Sequence, residues 1–256
     1  MQGPVALTNT AHKGKRIRNI GNANHIARNH FAKVYTPEFA KAGTDYPIIF
    51  VKDPDTGNFF AGGMWGLEMG ENLFVDNGRW LGGYFPASVR CYPFAVSPDP
   101  GNADRLLIGI YEQAEVVNDT EGNLIFNDDG SETDWMKEVK EFLVRVFQQE
   151  EMTRQFVKML NDMDLLVPQT LTMKNAKDGT EKDVGGFYVV DKEKLQNLPD
   201  DKFLELRKGG AIEVIYAHLM SLDSLDKLLR LKNRAKPGEA DNSAIPTDAA
   251  SAQIDS

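Results

Sequence analysis

Apolar and polar residues alternate in short runs through the first half of the chain, and apolar residues recur every three or four positions through much of the second. That change of period predicts strands first and helices later. Pro47-Ile48-Ile49-Phe50-Val51 is a compact apolar run, followed by turn residues at Asp53-Pro54-Asp55-Thr56-Gly57-Asn58 and a second run at Phe59-Phe60-Ala61, which predicts a hairpin. Leu73-Phe74-Val75, Asp76-Asn77-Gly78 and Arg79-Trp80-Leu81 repeat the arrangement, and Asn-Gly between apolar runs is the strongest short-range hairpin signal. Arg105 to Tyr111 and Leu124 to Phe126 add shorter strands, while Gly62, Gly63, Gly66, Gly82 and Gly83 point to bulges or close backbone approaches.

From about Asp134 to Asp164 the period becomes helical, with Trp135, Val139, Phe142, Val146, Thr153, Phe156, Leu160 and Met163 as the apolar stripe and Thr133 or Ser131 as the cap. Leu166 to Met173 and Gly185 to Val190 read as strands across a turn at Lys177 to Thr180. Two helices follow: about Pro199 to Lys208, stopped by Gly209-Gly210, and Ala211 to about Asn233, with Ile212, Ile215, Tyr216, Leu219, Leu222, Leu225 and Leu229 facing inward. The predicted fold is α+β: an antiparallel β-rich N-terminal half packed with a long central helix and C-terminal helices. Residues 1–30 form a basic arm, 31–235 a single domain with one core, and 236–256 an acidic tail expected to be disordered.

A chain of 256 residues can bury a core without staples. Its one cysteine, Cys91, rules out an intramolecular disulfide and a multi-cysteine zinc site, and suits a reducing compartment. No apolar run approaches a membrane span, and no apolar segment follows the first basic residues, so neither membrane insertion nor a Sec-type signal is expected. The expected location is cytoplasmic, with surface association by a non-classical route left open. Charge is unevenly spread. Residues 1–37 carry six basic side chains and no acid, leaving −15 for the rest of a chain whose total is −9, and Glu112 to Asp134 holds eight acids and no base. The arm can therefore lie on the protein's own acidic surface or bind an anionic partner, and the first reading needs no partner.

The recognised motifs of phosphate binding and hydrolysis are missing: Gly62-Gly63-Met64-Trp65-Gly66 lacks dinucleotide spacing, and no P-loop, nucleophile elbow or His-Glu-x-x-His occurs. No cofactor is implied. Arg90 could lower the pKa of Cys91, but on a strand the two side chains would point to opposite faces, which favours a small buried hydrophobe. His25 and His30, five apart, would not share a metal on one helix. An EF-hand register with Gly130 or Gly122 at the glycine position puts Ile125 or Val117 at the first ligand position, so no metal site is expected. His218 reads first as a satisfied core or interface histidine and second as an acid–base catalyst beside Glu213 or Asp223. Lys13, Lys15, Arg16 and Arg18 would carry nucleic-acid binding, against which an overall pI near 5.0 argues.

One ordered string of motifs is specific: Asp45-Tyr46-Pro47-Ile48-Ile49-Phe50, Gly70-Glu71-Asn72-Leu73-Phe74-Val75-Asp76, Gly78-Arg79-Trp80, Tyr84-Phe85-Pro86-Ala87 and Val89-Arg90-Cys91-Tyr92-Pro93-Phe94. Leu165-Leu166-Val167-Pro168, Gly186 to Asp191 and Ile215-Tyr216-Ala217-His218-Leu219 follow. Over about residues 30 to 232 this resembles the SapC family of bacterial proteins, named from a surface-layer gene cluster and distinct from a membrane permease of the same name. The resemblance implies association with the cell surface or an outer-membrane uptake system, with no reaction, cofactor or catalytic residue to carry over. Cys91 stands where a second basic residue is expected, which argues against thiol chemistry in the family. The reading is an accessory or binding protein whose ligand site is Glu71, Trp80, Tyr84, Arg90 and Tyr92, for a peptide, a protein or a small polar ligand. The alternatives are an enzyme using His218 and nucleic-acid binding by the arm.

Overall fold

The computed structural model describes residues 3–174 and 181–234; the turn expected at Lys177 to Thr180 and the acidic tail lie outside them. The architecture is α+β. Its main sheet has five antiparallel strands in the order Leu166–Lys174, Glu181–Val190, Ile48–Lys52, Phe59–Met64 and Phe31–Lys33. Two of its strands thus come from the second half of the chain. Both expected hairpins form. Asp53 Oδ1 accepts from the N–H groups of Asp55 and Thr56 to close the first turn. Asn77 (φ 48°) and Gly78 (φ 80°) supply the two left-handed residues of the second. Gly62 and Gly63 lie under aromatic rings: a Cβ would sit 2.1 Å from Phe31 at the first and 2.5 Å from Tyr46 at the second.

The rest of the first half forms smaller sheets. Asn102–Ile110 lies between Val5–Ala6 and Phe94–Asp99, and Arg16–Ile17 lies between Val117–Asn118 and Asn123–Leu124. The basic segment is therefore sewn onto the acidic one. Lys15 pairs with Asp119 at 2.9 Å, and Arg16 and Arg18 donate to the carbonyls of Gly122 and Glu115.

The helix Asp134–Asp162 is about 43 Å long at 1.5 Å per residue. Thr133 caps it, its hydroxyl accepting from the Met136 N–H. The buried line runs through Met136, Leu143, Val146, Thr153, Phe156, Val157 and Leu160. Trp135, Val139 and Phe142, expected at its centre, are half-buried flanks, because the sheet it covers sits one position round the helix from the stripe of largest side chains. Among the described residues, three clusters of buried side chains lie along this helix. Met136 and Leu143 close a cluster with Ile17, Phe94, Ile110 and Ile125, while Phe156 and Leu160 join a larger one around Phe39, Tyr46, Phe50, Trp65 and Ile215. Val146 packs between them with Tyr35 and Ala87.

The last predicted helix is two, Ala211–Ser221 and Leu225–Arg234, joined by the 3-10 turn Leu222–Ser224. The first buries Ala211, Ile215, His218 and Ser221 and leaves Tyr216, expected inside, 47% exposed, while in the second Leu228 is fully buried.

Candidate functional site

The 3-10 turn Thr36–Glu38, started by Pro37, leads into the short helix Phe39–Ala42 and folds the Glu38 side chain back onto the chain. One carboxylate oxygen accepts from the Tyr35 N–H at 3.1 Å; the other accepts from the Tyr84 hydroxyl at 2.6 Å and the Ala87 N–H at 2.8 Å. Arg90 Nη2 lies 3.8 Å from that second oxygen, and its guanidinium sits 5.3 Å over the Phe142 ring. Glu38 is buried, so three hydrogen bonds and a nearby cation compensate its desolvation. Tyr84 and Arg90 are thus brought together by Glu38. The local signal for it was Pro37-Glu38 at a helix start, where a carboxylate serves the first turn.

By accepting from Ala87, Glu38 fixes the start of the helix Ala87–Arg90, and this helix forms one wall of a cleft of about 580 Å³. Ser88, Val89 and Cys91 line that wall, Phe94 to Val96 line a second, and Val146 and Glu150 of the long helix line a third. Tyr92 and His25 also line the cleft, stacked with ring centroids 4.6 Å apart and planes at 22°. Burial lowers the His25 pKa, against the opposing pull of Glu115, so the ring is neutral at physiological pH. Its Nδ1 is enclosed and makes no hydrogen bond to the described residues. Burial, then the nearby Glu150 carboxylate, raises the Tyr35 pKa. Lys33 Nζ pairs with the same carboxylate at 2.5 Å.

A SapC family model matches residues 7–228. The chain belongs to the SapC family. No curated protein and no solved structure matches it. The SapC match begins at residue 7 and so takes in the basic segment, which agrees with the way Arg16–Ile17 is built into a sheet.

Within this SapC fold the five residues expected to form a ligand site divide into separate contacts. Tyr92 lines the cleft. Tyr84 and Arg90 meet at Glu38, behind it. Trp80 packs into an aromatic group with Trp65, Phe74 and Phe85, and Phe85 in turn lies 6.4 Å from His25. Glu71 belongs to a different set: it accepts from the Leu67 N–H and pairs with Lys232, which also reaches Glu68.

The surroundings of Cys91 and His218 agree with the first reading of each, a small buried hydrophobe and a satisfied core histidine. Cys91 ends the helix Ala87–Arg90 rather than lying on a strand; its thiol donates to the Ala87 carbonyl at 3.2 Å, and burial pushes its pKa up to about 12 although Arg90 opposes the shift. A protonated, hydrogen-bonded thiol is not a nucleophile at neutral pH. His218 does not open into a pocket. It is fully buried against Phe50, its Nδ1–H donates to the Ile48 carbonyl at 2.9 Å, and its Nε2 accepts from the Val190 N–H at 3.1 Å. Tyr188 pairs with Phe50 in the main sheet, and continuing that register places Val190 opposite Ile48. The imidazole therefore replaces a rung of the ladder where the two strands part. Ser221, one turn further along the same helix, accepts from the Ile48 N–H at 2.9 Å. With both ring nitrogens committed to main chain, His218 has no free site for acid–base work, and neither Glu213 nor Asp223 is its partner. Among the described residues no group of His, Cys, Asp and Glu side chains is placed to hold a metal ion, and no helix is long and apolar enough to cross a membrane.

Proposed function

We propose that this SapC chain is a binding protein serving a bacterial surface-layer or outer-membrane uptake system, and that the cleft beside His25 and Tyr92 takes a peptide or a small polar ligand. The observation that carries this reading is the composition of the cleft. His25, Tyr35, Tyr92, Tyr111 and Glu150 line a concavity also walled by Ile26, Val89, Phe94 and Val146, the mixture of apolar surface and few polar groups typical of ligand sites. Of the residues expected from the sequence, Tyr92 contacts the ligand, while Tyr84 and Arg90 position the cleft wall through Glu38. Association with the surface layer or uptake system follows from the family resemblance.

The test is retention of the purified protein on immobilised cell-envelope material, solubilised from a SapC-bearing bacterium. Ala95, half-buried on the cleft wall, is replaced by phenylalanine to fill the space. Wild-type protein is expected to be retained, and Ala95→Phe, folded by circular dichroism, to lose at least nine-tenths of that retention. Equal retention of the two would remove the cleft from the function.

A further inference from the structure

We propose, resting on the cleft as the binding site, that its ligand is an uncharged saccharide. The first argument is electrostatic. Among the described residues, Glu150 is the one carboxylate lining the cleft, no Lys or Arg lines it, and Glu150 is already paired with Lys33. Near the rim, Glu115 and Arg18 lie 3.8 Å apart and offset each other. An incoming anion would meet Glu150 with no cation of its own, and an incoming cation would have to displace Lys33. Either would lose hydration without a matching partner.

The second argument concerns the groups that remain. Neutral His25 lines the cleft with its ring stacked on Tyr92, its Nδ1 being enclosed. Asn29 adds an amide at the lip. Glu150, with lone pairs beyond the one used by Lys33, accepts but does not donate. A hydroxyl suits this set better than a carbonyl does, because it can donate to a carboxylate and also accept from an amide. Around these groups lie the rings of Tyr92, Tyr111 and Phe94 and the side chain of Val89. A sugar ring fits both demands, with C–H groups on its faces for the apolar walls and hydroxyls round its edge for the polar groups.

The experiment uses the full chain and a printed array carrying neutral glycans, uronic acid and sialic acid glycans, and uncharged capped tripeptides. Hits are followed by calorimetry with the free compound at pH 7.5. The expected result is binding to neutral glycans, at least tenfold weaker for the carboxylate-bearing analogue of the same sugar. His25→Ala and Tyr92→Ala should each weaken binding tenfold or more, and Ala95→Phe should abolish it. Asn29→Trp, at the exposed lip, serves as the blocking variant if Ala95→Phe does not fold. Preferred binding of capped tripeptides or acidic glycans, lost in the blocked variant, would overturn the saccharide assignment and leave the cleft as a binding site. If no compound on the array binds, or if binding is unchanged in the blocked variant, both readings fall.

Discussion

Replacing His218 with alanine is expected to destabilise the fold by about 3–5 kcal/mol, because each buried main-chain group left without a partner costs about 1–3 kcal/mol and the vacated space beside Phe50 adds a cavity term. The two groups are the Val190 N–H and the Ile48 carbonyl, which His218 now bonds at 3.1 and 2.9 Å. His218→Phe keeps the ring volume but neither hydrogen bond, and should be as damaging as alanine. His218→Gln retains one donor and one acceptor in a plane and should recover part of the loss. Urea unfolding at pH 7.5, followed by fluorescence and circular dichroism together, measures the series. An alanine variant within about 1 kcal/mol of wild type, the ordinary range of a surface substitution, would mean that His218 is not the rung described here.

The same histidine sets a pH dependence. Burial lowers its pKa in the folded protein to about 4, against 6.5 when exposed. A folded pKa below the unfolded one means that the unfolded chain binds the proton more readily. The contribution is therefore complete above about pH 6.5 and is lost as the pH falls toward 4, amounting to about 3 kcal/mol at 1.36 kcal/mol per unit. Because other groups titrate in that window, the measurement is the difference between wild type and His218→Gln. Wild type should lose stability more steeply between pH 6.5 and 4, and parallel curves would remove His218 as the cause.

Glu38→Ala is expected to cost about 3–5 kcal/mol, the usual result of removing one member of a buried, hydrogen-bonded charged set. It strands the Tyr35 and Ala87 N–H groups and the Tyr84 hydroxyl. Glu38→Gln can still accept at one oxygen and should cost roughly half as much. Because Ala87 begins the cleft wall, the alanine variant should also loosen the helix Ala87–Arg90, seen as faster amide exchange at Arg90 and Cys91, whose N–H groups bond back to Pro86 and Ala87. Unchanged exchange there with a normal unfolding midpoint would show that Glu38 does not hold the wall. Arg90→Ala, by contrast, removes a half-exposed group 3.8 Å from its partner and should cost no more than about 1 kcal/mol.

Several features were legible from neighbouring residues alone. Asp53 closes its turn with its own side chain, Asn77 and Gly78 supply a left-handed pair, and Thr133 caps the helix that follows it. The motif string from Asp45 to Phe94, taken with the later motifs from Leu165 to Leu219, named the family. The candidate site was legible only at Tyr92. Trp80, Tyr84, Arg90 and Glu71 were read as one cluster because they are close in sequence, but the fold turns them toward Trp65, Glu38, Phe142 and Lys232, respectively. Glu38, their missing counterpart, lies 46 and 49 positions from Tyr84 and Ala87.

The amino-acid sequence by itself determined the order of strands and helices, the local turns and caps, and the family, because hydrophobic period, backbone preference and capping act over a few residues. The tertiary structure decided what His218 does, since its imidazole serves two strands 170 and 28 positions away. It also decided where the cleft lies, since its walls come from residues 25 to 35, 88 to 96 and 146 to 150. A side chain's chemistry depends on which groups are left to bond it once water is excluded, and that is settled by packing across the chain.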